Sequence, residues 1–249
     1  MSQNVLVVHG GGPTAVINAS LYGVIEEAKR NPEVGNVYGA IGGTGAIFSE
    51  TFIDLTSFDD EKLKLLLHTP ASAIGSSRYP LYEKDYEKMV DIFKKHDIKY
   101  VLLNGGNGTM DACGHIYEVC KDQDIKVVGI PKTIDNDIAM TDHSPGYGSA
   151  ARFIAASTQE VGEDVKSLPI HVCIMEAMGR NAGWLTGAAV LAKSEDCEGP
   201  DLIYLPEVAF DVDDFLKKVK KLVSEKQSIV IAVSEGIKTA DGRYVCELS

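Results

Sequence analysis

The chain has 249 residues, 45% hydrophobic and 24% charged, and at about 100–200 residues per domain it forms one large domain or two small ones. Its 24 Lys and Arg against 36 Asp and Glu give a net charge of −12, so it lacks the basic surface that binds nucleic acid or anionic membranes. No apolar run is long enough to span a membrane, and five cysteines without a C-x-x-C motif predict a reducing, cytoplasmic setting.

Short β-rich runs alternate with amphipathic stretches along the whole chain. The predicted strands are Val5–His9, Val37–Ile41, Tyr100–Asn104, Val127–Ile130, Ile170–Met175, Leu202–Leu205 and Ser228–Val233. The predicted helices are Val16–Lys29, Asp60–Leu67, Tyr86–Lys95, Asp111–Lys121, Ser149–Lys166, Trp184–Lys193 and Val212–Lys226. Apolar strands that alternate with helices form parallel sheets with helices on both faces, so the predicted fold class is α/β with doubly wound parallel sheets.

Glycines follow directly after three of the predicted strands. They lie at residues 10–12, 42–43 and 105–108, the last run being interrupted by Asn107. Ligands bind at the carboxyl ends of parallel strands, where glycine lets the backbone approach and the N–H groups of the next helix attract anions. The three loops predict a phosphate-rich ligand, although each loop alone could be only a tight turn. A dinucleotide is not favoured, because no acidic residue ends the second strand.

The segment Pro131–Asp137 follows the strand Val127–Ile130 and concentrates reactive side chains. Asp135 is a ready carboxylate base at neutral pH, and Lys132 is a point charge suited to a transferring phosphoryl group. Asp137 could hold a hard cation such as Mg²⁺.

Other charged residues lie at strand ends as well. Arg180 follows Ile170–Met175 and could grip a phosphate or sugar oxygens, although an arginine that caps a helix is the simpler interpretation of that residue alone. Arg78 lies in a loop of small residues, and Glu235 ends the last clear strand.

Taken together, these motifs resemble the phosphofructokinase family over essentially the whole chain. The matching segments are Gly10–Asn18 (GGGPTAVIN), Gly75–Arg78 (GSSR), Gly105–Thr109 (GGNGT), Pro131–Asp137 (PKTIDND) and Met178–Arg180 (MGR). The resemblance implies the glycolytic transfer of a phosphoryl group to the 1-hydroxyl of fructose 6-phosphate, with Mg²⁺ as cofactor. It also implies a two-lobed architecture, with a donor-binding lobe at residues 1–138 and a sugar-phosphate-binding lobe at 139–249, and catalysis in the cleft between them.

The resemblance also implies roles for individual residues. Asp135 would be the catalytic base, assisted by Lys132 and Thr133. The donor would contact Gly11, Gly12, Arg78, Gly106, Asn107, Gly108 and Thr109. The sugar phosphate would contact Thr133, Asp135, Met178, Gly179, Arg180 and Glu235. Asn107 and Asp137 would hold the metal.

Two positions give conflicting indications of the donor. Lys132 resembles pyrophosphate-dependent members of the family, whereas ATP-dependent bacterial members have glycine there. Gly108 resembles ATP-dependent members, whereas many pyrophosphate enzymes carry an aspartate that repels the nucleotide. The whole pattern favours pyrophosphate, with ATP as the alternative. A homo-oligomer is expected from the resemblance alone.

Three departures from the family pattern leave a second hypothesis beside the enzyme: a binding or regulatory chain with the same fold and phosphate ligands that has lost turnover through Asn107 and the early end of the sequence. Asn107 replaces the usual aspartate, and His171 replaces an arginine that reaches a neighbouring subunit's sugar phosphate. The sequence stops at 246–249, where another strand is expected to begin, so the second lobe is expected to be incomplete.

Overall fold

The computed structural model describes residues 3–168 and 170–248 of the chain. The chain divides into two compact units, Met1–Lys132 (unit 1) and Thr133–Ser249 (unit 2). Each unit has its own sheet, in which most neighbouring strands run parallel. The predicted α/β class with parallel sheets is therefore confirmed.

Unit 1 is built around a five-stranded sheet with the strand order β3-β2-β1-β4-β5. Its strands are β1 (Gln3–Gly10), β2 (Val34–Ala40), β3 (Phe52–Asp54), β4 (Ile98–Gly105) and β5 (Lys126–Pro131). Its helices are α1 (Val16–Arg30), α2 (Gly45–Phe48), α3 (Asp60–Lys64), α4 (Glu83–Lys95) and α5 (Asn107–Cys120), with a 3-10 turn at Leu65–His68.

The central strand β1 is buried because both faces of the sheet carry a core. Leu6 and Val8 pack on one face in a cluster that includes Phe93 of α4. Val5 and Val7 point to the other face, where they join a cluster that includes Leu21 and Ile25 of α1. The continuous apolar run of β1 thus reflects burial on both sides, as expected for a central parallel strand.

Unit 2 has a smaller, all-parallel sheet with the strand order β6-β8-β7. Its strands are β6 (Val172–Ala177), β7 (Leu202–Tyr204) and β8 (Ile229–Ser234). Its helices are α6 (Tyr147–Ser167), α7 (Trp184–Ala188) and α8 (Val212–Glu225), with 3-10 turns at Ala189–Ala192 and Val245–Glu247. Within the described ranges, no helix combines the length and apolarity that crossing a membrane requires.

Two local expectations were wrong. The end of the sequence was expected to start a strand, but the structure has the 3-10 turn Val245–Glu247 there, and Ser249 lies outside the described residues. The helix after β4 was expected from Asp111, but α5 begins at Asn107 because Gly106 leaves the strand in an extended conformation and the chain turns into the helix at once. The short antiparallel strand β3 and the helix α2 carried no clear sequence signal.

Candidate active site

The glycine loops of unit 1 lie side by side at the carboxyl edge of its sheet. The last residues of the three adjacent strands are in register, since Gly10 pairs with Gly105 and Gly105 pairs with Pro131. A Cβ atom on Gly105 would lie 2.5 Å from the Gly10 carbonyl oxygen and would also overlap the side chain of Thr109. Glycine is therefore required here because the two loops touch through their backbones.

The helix α5 starts directly behind these loops and points its N-terminus at them. Gly106 is the N-cap, and the N–H groups of Thr109 and Met110 both donate to its carbonyl oxygen, at 2.9 and 3.0 Å. The first turn of a helix carries partial positive charge, which favours a bound anion.

A third segment, residues 75–78, is bonded to the first glycine loop. Gly11 N–H donates to the Ser77 carbonyl at 3.1 Å, and the Ser76 hydroxyl donates to the Gly11 carbonyl at 2.7 Å. Gly75 makes the turn into this segment with a positive φ of 73°. The exposed guanidinium-bearing residue Arg78 is thus held beside Gly11, although 67 positions separate the two in sequence (78 minus 11).

A cavity of about 400 Å³ in unit 1 collects the predicted donor-binding residues. All seven line it, namely Gly11, Gly12, Arg78, Gly106, Asn107, Gly108 and Thr109. Sequence reasoning missed Thr44 and Tyr79, which also line the cavity. The Tyr79 ring packs against Phe48 with 5.7 Å between centroids. Tyr79 directly follows Arg78, and this position next to a predicted site residue is the sequence signal that could have identified it.

Lys132 is hydrogen-bonded to the backbone of the same two glycine loops. Its side chain is only 6% exposed, its ammonium donates to the Gly12 carbonyl, and its backbone N–H donates to the Gly105 carbonyl at 2.9 Å. It therefore brings a buried positive charge against the backbone of the first glycine loop without lining the 400 Å³ cavity.

The carboxylates Asp135 and Asp137 lie at the start of unit 2 in a loop shaped by Asn136. Asn136 has a left-handed backbone with φ 57°, which asparagine tolerates better than most residues. Its side-chain oxygen accepts from Ser144 N–H at 2.7 Å, and its amide donates to the Asp142 carbonyl at 3.2 Å. The N–H of Asp135 donates to the Thr133 hydroxyl at 3.1 Å. These bonds hold both half-buried carboxylates in a defined turn.

A second cavity, of about 460 Å³, lies within unit 2 at the carboxyl ends of β6 and β8. Arg180 and Glu235 both line it, and Gly179 N–H donates to the Glu235 carboxylate at 3.2 Å. Gly179 has φ 114°, and its carbonyl accepts from the buried Ser234 hydroxyl at 2.7 Å. An arginine and a carboxylate that line one cavity suit a ligand with both phosphate and hydroxyl groups.

The remaining residues predicted to bind the sugar phosphate do not line this cavity. Thr133 and Asp135 lie in the loop described above, and Met178 is 59% exposed. His171 is exposed, and its Nδ1 lies 3.1 Å from the Gln227 carbonyl oxygen.

The two residues predicted to hold a metal ion offer oxygen ligands. Asp137 offers a carboxylate and Asn107 an amide oxygen, which are hard ligands of the kind that Mg²⁺ prefers. Among the described residues no group of three or more His, Cys, Asp or Glu side chains is arranged to hold a metal. A single carboxylate or amide oxygen suits an ion such as Mg²⁺, which takes one or two ligands from protein and the rest from phosphates and water.

Two buried thiols of unit 1 are kept protonated by their surroundings. Cys113 and Cys120 pack in the core of unit 1, and burial raises the pKa of both, that of Cys120 to about 11. Thiols with raised pKa values remain protonated at neutral pH, so we assign them to packing.

Comparison with known proteins finds a matching family and similar relatives. The family profile described as Phosphofructokinase matches residues 4–249. A pyrophosphate–fructose 6-phosphate 1-phosphotransferase from Rhodospirillum rubrum is 42% identical over 97% of this chain and 60% of its own length. The crystal structure of a pyrophosphate-dependent phosphofructokinase from Nitrosospira multiformis superposes with a TM-score of 0.87 at 38% identity, covering 98% of this chain and 63% of that one.

Relatives of another donor type are less similar. An ATP-dependent 6-phosphofructokinase 2 from Clostridium perfringens is 27% identical over 98% of this chain and 67% of its own length. The chain spans about 60% of the length of the pyrophosphate-dependent relatives that it matches.

Proposed function

This chain belongs to the phosphofructokinase family, and from that premise we propose that it transfers a phosphoryl group from pyrophosphate to the 1-hydroxyl of fructose 6-phosphate. The observation that carries the proposal is the cavity of unit 1, where two glycine loops, a helix N-terminus and Arg78 converge. Those are the groups that phosphoryl transfer needs, because the reaction depends mainly on positioning and on neutralising charge.

Unit 1 is proposed to bind the phosphoryl donor. Backbone N–H groups at the start of α5 and the guanidinium of Arg78 would bind phosphate oxygens. Lys132 would add charge from beneath the first glycine loop, where a buried ammonium interacts more strongly with an anion than it would in water.

Unit 2 is proposed to bind the sugar phosphate and to supply the base. Arg180 and Glu235 would bind phosphate and hydroxyl oxygens of fructose 6-phosphate. The carboxylate of Asp135 would accept the proton of the 1-hydroxyl as its oxygen bonds to phosphorus, while the bond from phosphorus to the leaving phosphate breaks. Fructose 1,6-bisphosphate and inorganic phosphate would be the products.

Mg²⁺ is the proposed cofactor. Asp137 and Asn107 would hold it, and when bound it neutralises charge on the donor phosphates. Asn107 carries no charge where the family usually has an aspartate, so Asp137 and the phosphates themselves would supply more of the metal's binding.

Pyrophosphate is favoured as the donor for two reasons. Lys132 is the residue that resembles pyrophosphate-dependent members of the family, and the relatives at 37–42% identity are named for pyrophosphate. ATP is the second candidate because Gly108 leaves open space, in that a Cβ there would meet no atom within 4 Å. No side chain at that position obstructs a nucleotide.

The test is a measurement of fructose 1,6-bisphosphate formation from fructose 6-phosphate and Mg²⁺. Pyrophosphate and ATP are supplied separately, to the wild-type chain and to Asp135→Asn. We expect activity with pyrophosphate, and a loss of about 10²–10⁴-fold in kcat in the variant, the usual contribution of a general base. Asp142→Asn, which removes one exposed carboxylate from the same loop, is the matched control for a mere loss of charge there.

Three results would lead to other conclusions. Activity with ATP alone would transfer the assignment to the ATP-dependent class. Binding of fructose 6-phosphate and pyrophosphate without turnover would support the regulatory chain instead. Activity in Asp135→Asn equal to that of the wild type would show that Asp135 is not the general base. The roles of the two lobes, a homo-oligomeric state and a cytoplasmic location stay predictions.

A further inference from the structure

A buried histidine stands directly before the first glycine loop and has no role in the reaction described above. His9 lies in β1, next to Gly10, and its side chain is 0% exposed. Burying an imidazole is costly unless its polar atoms are bonded, so its contacts indicate why it is there.

The hydrogen bonds of the His9 ring show which of its nitrogens carries the proton. Its Nδ1 lies 2.7 Å from the Ser72 hydroxyl oxygen, and that hydroxyl lies 2.7 Å from the Gly75 carbonyl oxygen. A serine hydroxyl has one proton, and a carbonyl can only accept, so Ser72 donates to Gly75. The hydroxyl oxygen must then accept from His9, which assigns the proton of the ring to Nδ1.

The other ring nitrogen is consistent with that assignment. Nε2 is buried and has no hydrogen-bond partner among the described residues. A bare lone pair is less costly to bury unbonded than an N–H group with a positive charge, and burial lowers the pKa of His9 to about 4. At neutral pH, His9 is therefore an uncharged donor from Nδ1.

The chain of bonds ends at the segment that carries Arg78. Gly75, which accepts from Ser72, is the turn residue with positive φ that starts this segment. Two residues later, Ser77 forms a parallel bridge with Gly10, and the Gly42 N–H donates to the Ile74 carbonyl at 2.8 Å. His9 is thus connected to segment 75–78 in two ways. Through the backbone it leads to Gly10, which bridges to Ser77, and through Ser72 it leads to Gly75.

We propose that His9 is a positioning residue for the phosphoryl-donor site, which acts through Ser72 to hold segment 75–78, and with it Arg78, against the first glycine loop. This inference rests on the proposed function of the unit 1 cavity as the donor site. His9 itself does not line the unit 1 cavity.

The test compares binding of inorganic pyrophosphate and of fructose 6-phosphate by calorimetry, on the full 249-residue chain with Mg²⁺. His9→Leu removes the hydrogen-bond donor to Ser72, and Ser72→Ala removes the hydroxyl group that connects His9 to Gly75. His9→Asn puts an amide near the position of Nδ1. We expect Leu and Ala to weaken pyrophosphate binding by about tenfold, the value of one lost hydrogen bond, and Asn to recover most of it. Fructose 6-phosphate binding should change less than about twofold, because this ligand is proposed to bind residues of unit 2, whereas both substitutions lie in unit 1.

The double variant His9→Leu/Ser72→Ala separates a relay from two independent effects. If the two residues act in series, the double variant binds pyrophosphate about as well as the worse single variant. Chemical unfolding of each variant shows that it is folded, and Ser72→Ala keeps the test open if His9→Leu does not fold.

Two outcomes would overturn the inference. One is pyrophosphate binding that is unchanged in folded Ser72→Ala. The other is an equal loss of affinity for both ligands without recovery by His9→Asn, which would mean a general packing role. Failure of the proposed function shows differently, since the wild-type chain itself would then bind no pyrophosphate.

Discussion

Gly236 lies so close to Arg180 that a Cβ atom on the glycine would overlap the carbonyl group of the arginine. Gly236 follows β8 and Arg180 follows β6, and these two strands are adjacent in the sheet of unit 2. The Gly236 N–H donates to the Ser234 hydroxyl at 3.0 Å, and that hydroxyl donates to the Gly179 carbonyl. The backbone contact therefore determines where the Arg180 side chain starts.

Replacing Gly236 should displace Arg180 and weaken the sugar-phosphate site. For Gly236→Ala we expect the KM for fructose 6-phosphate to rise at least about tenfold, which corresponds to about 1.4 kcal/mol of lost binding. The KM for pyrophosphate should stay within about twofold, because unit 1 is untouched. The control is Gly187→Ala, since a Cβ there meets no atom within 4 Å. An unchanged KM for fructose 6-phosphate in Gly236→Ala would contradict this role of the contact.

Asn136 should matter for turnover although it takes no part in the chemistry. Asn136→Ala removes two hydrogen bonds and puts an unfavourable residue at φ 57°, so the loop that carries Asp135 should loosen. We expect kcat to fall by about tenfold to a hundredfold, since small misplacements of a catalytic group are costly. Met140→Ala is the control, because Met140 also has a positive φ, in the same loop, but a fully exposed side chain. Equal kcat values in the two variants would argue against the prediction.

Position 108 should discriminate between the two candidate donors. A side chain fits there without a clash and lines the cavity of unit 1, so Gly108→Asp adds a carboxylate where a nucleotide would bring another phosphate. We expect the ratio of kcat/KM for pyrophosphate to that for ATP to rise by at least about tenfold, through like-charge repulsion. Gly108→Asn, of nearly the same size without the charge, is the control. A ratio that changes equally in both variants would mean that bulk, and not charge, matters.

The buried His9 should make unit 1 less stable in mild acid. Its pKa is about 4 in the folded chain against 6.5 for an exposed histidine, so between these values the unfolded chain binds more protons. Its contribution to stability is complete above about pH 6.5 and is lost as the pH falls towards about 4, a total of about 3 kcal/mol.

Urea unfolding at pH 7.5 and 4.5 measures this effect. The free energy of unfolding should fall between these two values by about 2–3 kcal/mol more in the wild-type chain than in His9→Asn, which cannot take up a proton there. The exposed His68 provides the control variant His68→Asn, which should follow the wild type. A parallel decrease in wild type and His9→Asn would show that other groups cause the acid sensitivity.

Much of the fold could be predicted because hydrophobic periodicity reports burial directly. The run Val5-Leu6-Val7-Val8 is buried on both faces of the sheet, and such a run has few alternatives to a central strand. β3 escaped prediction because it has three residues and pairs antiparallel at the sheet edge, too short for a periodic signal. The turn Val245–Glu247 was mistaken for a strand because four residues cannot distinguish the two.

Residue types predicted which loops form the site, but they did not predict which distant segments contact one another there. Glycine loops and charged residues after strands indicated a phosphate site, and the parallel strand order placed two of those loops in contact. The attachment of segment 75–78 to Gly11 depends on hydrogen bonds between residues about 65 positions apart, which no local pattern encodes.

The sequence by itself determined the α/β class, most of the strands and helices, and the chemical kind of each loop, because these depend on local periodicity and on residue types at strand ends. Only the tertiary structure decided that Lys132 lies buried beneath Gly12, that His9 is bonded to Ser72, and that Gly236 touches Arg180. Each of these contacts joins residues at least 56 positions apart (236 minus 180), brought together by the order of strands in a sheet. Sheet order is a property of the whole packed chain, because every strand pairing depends on the cores on both of its faces.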